Sequence, residues 1–364
     1  MKTVAKPGDL PLVRPEPIMK ATGLAWLHFE KPNLARQAAF LRSFGFRVDV
    51  DGGNVLFARG AGSDGFCYKA TLAKRARFVG AAFTAANRHD LEALSLVTGR
   101  PIETAEDPGG GERIRLVDPN GFTVDVVYGR QPSRPAPTRD APYAPNTPFN
   151  ISRINQPLRP PLQAAQVIRL GHYVLGTPKF AETAQWYMRH LGLIPSDVGC
   201  IDTGEPLVAF MRLDLGENPA DHHSLVVATG PLPHYDHSAY EVIDIDAIGQ
   251  GQQVLKRDGY RHVWGIGRHR LGSQLFDYWK DPDGHMLEHY ADGDLFTADY
   301  PTNYSAFDPG TVWTWGDDLP KNFGVEKSPK VVIAMLRQLA TGQLSRQKLS
   351  SMLRAISAKP RPWL

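Results

Sequence analysis

One run of patterns occurs twice in this sequence, which limits the chain to folds built from two copies of a unit. Residues 26–32 (WLHFEKP) recur as 172–178 (HYVLGTP), 80–83 (GAAF) as 237–240 (HSAY), and 118–125 (DPNGFTVD) as 281–288 (DPDGHMLE). In the first copy, strand-like runs at 23–29, 54–58, 65–70 and 77–84 are interleaved with helical spacing over 33–44 and 89–98. Residues 113–117, a turn at Asp118-Pro119-Asn120-Gly121 and residues 122–127 close the copy, which reads β-α-β-β twice. The second copy has strands at 170–176, 207–213, 223–229 and 237–243, and helices at 179–191 and 247–257. It ends in a hairpin. Leu275, Phe276, Tyr278 and Trp279 on one side and Met286, Leu287 and Tyr290 on the other suit a half-buried pleated surface. Asp281-Pro282-Asp283-Gly284 between them is turn chemistry. Strands and helices mixed in this way predict an α+β fold, and 364 residues suffice for two such units plus extensions.

Glu288 falls where the last strand should be most buried. An unpaired carboxylate there is costly, so it needs a cation or hydrogen-bond donors. A single Arg or Lys is the ordinary partner. Here His172 and His237 lie on two other strand-like runs of the same copy. Two histidines and one carboxylate make the facial triad that holds non-haem Fe(II) and leaves positions open. The equivalent positions of the first copy read Trp26, Gly80 and Asp125, a set unable to hold a metal. The fold therefore does not require those residue types, and the expectation is one chemically competent copy and one scaffold. His222, His234, His262, His285 and His289 have strand parity or loop positions that suit surface or supporting roles.

A net charge of +3, with scattered basic residues, gives no footprint for nucleic acid or an anionic membrane; only residues 359–364 are locally basic. Two cysteines in different copies, Cys67 and Cys200, make neither a disulfide framework nor a zinc knuckle and suit a reducing cytoplasm. Residues 1–20 are proline-containing without an apolar core, unlike a signal peptide, and no apolar run reaches the length of a membrane span. A soluble cytoplasmic protein is expected. The domains read as an arm (1–20), a non-catalytic domain (21–130), a Pro-rich linker (131–167), a metal-binding domain (168–295) and a lid with a helical tail (296–364). In the tail, residues 300–320 carry Trp313 and Trp315 and suit the mouth of a pocket. Ser328-Pro329 is a helix entry. Val331, Met335 and Leu339, then Leu349, Met352, Leu353 and Ile356, give two amphipathic helices. They are expected to pack on the body or on a neighbouring subunit of a homo-oligomer, a dimer or tetramer.

Gly267-Arg268-His269, Phe276-Asp277-Tyr278, Asp281-Pro282-Asp283-Gly284 and Glu288 together resemble the signature of type I extradiol ring-cleavage dioxygenases, in the vicinal oxygen chelate superfamily. The resemblance covers residues 20–295 and is densest over 171–294. It implies two tandem glyoxalase-like domains, each of paired βαβββ modules, with a C-terminal helical extension. It also implies Fe(II), occasionally Mn(II), on His172, His237 and Glu288, with a catechol and O2 as substrates and meta cleavage as the reaction. His223 matches the acid/base histidine, Tyr278 the tyrosine that hydrogen-bonds a substrate oxygen, and His269 a second histidine lining the pocket. Imidazole suits proton transfer because its ordinary pKa of about 6.5 lets it take and give a proton near neutrality. Residues 210–213, 263–266 and 313–315 are expected to form apolar walls for an aryl- or alkyl-substituted catechol. Arg268 pairs either with a substrate carboxylate or with a structural acid. The same architecture serves glyoxalases, isomerases and ligand-sequestering proteins, so the fold leaves those readings open.

Overall fold

The computed structural model describes residues 12–139, 141–307, 310, 312–320, 328–342 and 344–357. The first copy opens on β1 (Ala21–Lys31). Asn33 accepts from the Arg36 amide to start α1 (Leu34–Phe44), and Gly45, at φ 110°, ends it in the left-handed region. The face of α1 carrying Leu34, Ala38, Leu41 and Phe44 is buried. β2 (Arg47–Asp51), β3 (Val55–Arg59) and β4 (Tyr68–Leu72) complete one βαβββ module. The next comprises β5 (Arg77–Ala85), α2 (Arg88–Thr98), β6 (Ile102–Thr104), β7 (Glu112–Val117) and β8 (Thr123–Tyr128). Their strands form one sheet in the order β2-β3-β4-β1-β5-β8-β7-β6.

The second copy repeats the plan. It runs β9 (Arg169–Thr177), α3 (Phe180–Leu191), β10 (Ile194–Cys200), β11 (Pro206–Arg212), the two-residue β12 (Ala220–Asp221) and β13 (Leu225–Thr229). Then come β14 (His234–Glu241), α4 (Ile245–Arg257), β15 (Arg261–His269), β16 (Leu275–Lys280) and β17 (Met286–Ala291). β18 (Leu295–Phe296) pairs with β12, while β19 (Asn303–Ala306) and β20 (Trp313–Trp315) extend the main sheet at its two edges. That sheet is ordered β19-β10-β11-β13-β9-β14-β17-β16-β15-β20. Helices α5 (Pro329–Ala340) and α6 (Arg346–Ser357) follow. This is the expected α+β architecture of paired βαβββ modules in tandem with a helical extension. Each module has one strand more than the β-α-β-β read from the sequence. The unread strands are β2, β6, β10 and β15, the ones that follow each helix. β2 is largely exposed, β6 has three residues, and β10 contains Pro195 and Gly199, so none shows a clean alternation of apolar and polar residues.

The two copies share one core. Phe29 and Phe78 pack on Tyr235, with ring centroids 5.2 and 4.9 Å apart, and Phe78 also reaches Tyr173. Each copy also grips the other's DPxG turn. Lys31, at the end of β1, donates to the Asp281 carboxylate and lies 2.7 Å from His285 Nδ1. Thr177, at the end of β9, donates to Asn120 Oδ1 at 2.5 Å. Both turns are also braced from within: Asp281 Oδ1 accepts from the Asp283 and His285 amides, and Asp118 Oδ1 from those of Asn120 and Phe122. Among the described residues no helix is long and apolar enough to cross a membrane.

Candidate metal centre

Three strands side by side in the second sheet carry the candidate ligands. Ala239 of β14 pairs with His172 of β9 on one side and with Glu288 of β17 on the other, and His237 lies two residues earlier on β14. Strand geometry places residues two apart on one face, so the three side chains converge. Their ligand atoms all lie within 4.8 Å of one another. His172 Nε2 and His237 Nε2 stand 3.4 and 3.5 Å from Glu288 Oε2. Glu288 is fully buried, yet neither of its oxygens has a hydrogen-bond partner. A buried carboxylate in that state fits a cation held jointly with the two imidazoles. Burial alone would raise the Glu288 carboxyl, but the neighbouring His172 and His269 hold it below the ordinary carboxylate range.

His237 is oriented from behind. Its Nδ1 lies 2.7 Å from Asp236 Oδ1, an acceptor, so Nδ1 carries the proton and Nε2 keeps its lone pair for a metal. Burial would lower the His237 imidazole, and the bond and charge of Asp236 raise it above its ordinary value. Asp236 and His237 are neighbours in sequence, so strict alternation puts them on opposite faces. A register shift between Tyr235 and Ser238 lets both serve the site. That irregularity is why period-two reasoning overlooks Asp236, although a carboxylate directly preceding a candidate ligand was a usable signal.

The remaining anticipated residues surround the triad in a cavity of about 350 Å³. His223 lies against His172, with ring centroids 4.0 Å apart, and edge-on to Phe210. Burial, then the adjacent imidazoles, push His223 well below its ordinary value, which keeps it neutral. Tyr278 is the cross-strand partner of Glu288. His269 Nδ1 donates to the Val312 carbonyl at 2.8 Å, so its Nε2 accepts from the Tyr278 hydroxyl at 2.8 Å. The walls are Val174, Val208, Phe210, Val226, Trp264 and Phe307, with Val312 and Leu319 at the C-terminal side. The expected wall segments are thus only partly right. Leu213 is elsewhere, Trp313 packs behind the wall against Trp264, and Trp315 is half exposed, because side chains alternate along each strand. Arg268 binds Asp292 at 2.8 Å and the Ser273 carbonyl, so it takes the structural role. The other histidines join no ligand set but are less superficial than anticipated. His222 and His289 are buried and His285 nearly so, held respectively by Asp197, the Phe44 carbonyl and Lys31.

Residues 169–289 match the Glyoxalase/Bleomycin resistance protein/Dioxygenase superfamily. The chain is 32% identical over 225 residues to metapyrocatechase 2 of Cupriavidus necator, a match spanning 60% of this chain and 65% of that relative's length. It is 25% identical over 296 residues to the manganese-dependent 2,3-dihydroxybiphenyl 1,2-dioxygenase of Geobacillus genomosp. 3, covering 78% and 90% of the two chains. Similarity to these dioxygenases thus extends over 60% and 78% of this chain, with the superfamily match confined to the second copy. The chain's fold is shared with homoprotocatechuate 2,3-dioxygenase from Arthrobacter globiformis (TM-score 0.69, 19% identity, 88% of this chain and 95% of the other). It is shared equally with the Mn(II)-bound glyoxalase from Novosphingobium aromaticivorans (TM-score 0.70, 20% identity, 85% and 95%).

The first copy is closed where the second is open. Register equates Trp26, Ala82 and Asp125 with His172, Ala239 and Glu288, and Gly80 with His237. Arg115, cross-strand from Asp125, binds it through two bonds of 2.8 and 2.9 Å; this is the ordinary carboxylate partner, standing where the second copy has Tyr278. Arg130 lies over the rings of Trp26 and Phe66, 4.6 and 4.5 Å from their centroids.

Proposed function

We propose that the chain is an Fe(II)-dependent dioxygenase, with Mn(II) as an alternative metal, that cleaves a neutral, apolar-substituted catechol beside its hydroxyls using O2. The observation that carries this reading is the His172, His237 and Glu288 set, open on the side where an apolar cavity meets His223 and Tyr278. In this proposal residues 168–295 form the catalytic domain and residues 21–130 the scaffold. His172, His237 and Glu288 would hold the metal, which would supply Lewis acidity and the one-electron chemistry that O2 activation requires.

The protein's own groups bind, orient and handle protons. Asp236 holds His237 in the tautomer that leaves Nε2 free for the metal. His223, kept neutral by burial, takes a proton from a substrate hydroxyl and returns it as the ring opens. Tyr278 turns its hydroxyl from His269 Nε2 to donate to a substrate oxygen. The apolar walls hold the aromatic ring and exclude water. Arg and Lys are absent from the described cavity walls, which favours a neutral ring over a carboxylated one.

Iron-loaded protein tested with catechol, 3- and 4-alkyl catechols, an aryl catechol and a carboxylated catechol should consume O2 and form a yellow ring-opened product with the uncharged members. Turnover of the carboxylated member alone would remove the apolar-pocket argument. No turnover with any member, iron being reduced and bound, would favour the glyoxalase-like reading that the shared fold also accommodates.

A further inference from the structure

We propose that Asp197 and His222 are positioning residues that lock the tautomer of His223, presenting a bare Nε2 to the cavity. This rests on the reading of His223 as the proton-handling group, but the geometry behind it is independent of that reading. Asn303, opposite Asp197 in the parallel pairing of β19 with β10, donates to Asp197 Oδ1 at 2.5 Å. Oδ2 is left for His222 Nε2, 2.7 Å away. A carboxylate only accepts, so His222 Nε2 carries that ring's proton and His222 Nδ1 is an acceptor. His222 Nδ1 lies 2.8 Å from His223 Nδ1, which must therefore be the donor. The neutral His223 ring has then used its only N–H, and Nε2 holds a lone pair. Nε2 has no partner among the described residues, and the ring lines the cavity between His172 and Phe210.

The chain of groups cannot readily rearrange. Asp197, His222 and His223 are all buried, and the His222 amide donates to the Asp294 carbonyl at 2.9 Å. By register, the first copy has Gly65 and Phe66 at the positions of His222 and His223, so the fold does not demand paired imidazoles there. The consequence is directional. The substrate hydroxyl proton goes to Nε2, Nδ1–H keeps pointing at His222, and the new positive charge is relayed through two aligned hydrogen bonds to Asp197. When the proton goes back, the original tautomer is restored. The opposite tautomer would offer an N–H to the substrate and have no lone pair to receive its proton.

Two-bond 1H–15N correlation on full-length protein labelled with [15N]histidine, with diamagnetic Zn(II) in place of iron, reads the tautomers directly. Wild type should show His223 protonated at Nδ1 and His222 at Nε2. Asp197→Asn should mix the His223 tautomers and lower kcat roughly 10–100-fold, at or below the lower end of general acid–base effects because His223 itself remains, with KM for the catechol and iron content within about twofold. His222→Gln, whose amide can accept from His223 and donate to Asp197, should retain the tautomer and most of kcat, whereas His222→Phe should lose both. If His222→Phe does not fold, Asp197→Asn decides. A wild-type His223 protonated at Nε2 would overturn the inference, and so would an Asp197→Asn variant with unchanged tautomer and kcat. If wild type turns over no catechol, the catalytic reading fails while the tautomer measurement still decides the relay.

Discussion

At the residue scale, the centre depends on each ligand presenting a particular atom. Glu288 has no hydrogen-bond donor of its own, and His237 presents Nε2 because Asp236 holds Nδ1. Asp236→Asn should therefore weaken metal binding by roughly 10–100-fold, and His237→Ala should abolish it, with far-ultraviolet circular dichroism unchanged in both. Chelator competition and metal analysis measure this; full iron occupancy in His237→Ala would sink the assignment. The three ligand candidates were legible in the sequence because each interrupts an apolar strand pattern and has a chemically inert counterpart in the other copy. Asp236 was signalled only by its place directly before His237, since period-two alternation turns it to the other face and a strand irregularity brings it back. His222 was set aside on strand parity or loop position, and its partner, Asp197, lies on β10, a strand the sequence did not reveal.

At the scale of elements, the two copies differ in how closely neighbouring strands approach. Gly80 occupies the position of His237, yet a Cβ there would lie 1.8 Å from the Thr123 carbonyl oxygen of the adjacent β8. The first copy lacks room for any side chain at that point, let alone an imidazole. Gly80→Ala should destabilise the protein by about 2 kcal/mol or more, the scale of overpacking in a close-packed interior, seen as a lower midpoint in chemical denaturation. An unchanged midpoint would show that β5 and β8 can separate without loss. Helices were easy to read because caps such as Asn33 and the periodic apolar face of α1 agree with each other. The strand after each helix was hard to read because it is an edge, very short, or interrupted by Pro or Gly. Its place is set by pairing with the next strand rather than by its own composition.

At the scale of the whole molecule, buried imidazoles tie folding to pH. Burial first, then the adjacent Lys31 ammonium, lowers His285 to about 4, and burial with Lys69 lowers His28 to about 4. Both would titrate near 6.5 in the unfolded chain, which therefore binds more protons than the folded one between those values. Stability should be level above about pH 6.5 and fall as pH drops towards 4, by no more than roughly 3.5 kcal/mol per histidine at 1.36 kcal/mol per pKa unit. Urea denaturation across that range measures the slope, which His28→Asn/His285→Asn should flatten; an equal slope in both proteins would contradict the assignment. The reciprocal grip of Lys31 on Asp281 and of Thr177 on Asn120 has a further consequence. The turn that Lys31 holds joins β16 to β17, the strands bearing Tyr278 and Glu288. The first copy is thus a splint for the second: a gene trimmed to the second copy would encode a hairpin with its anchor missing.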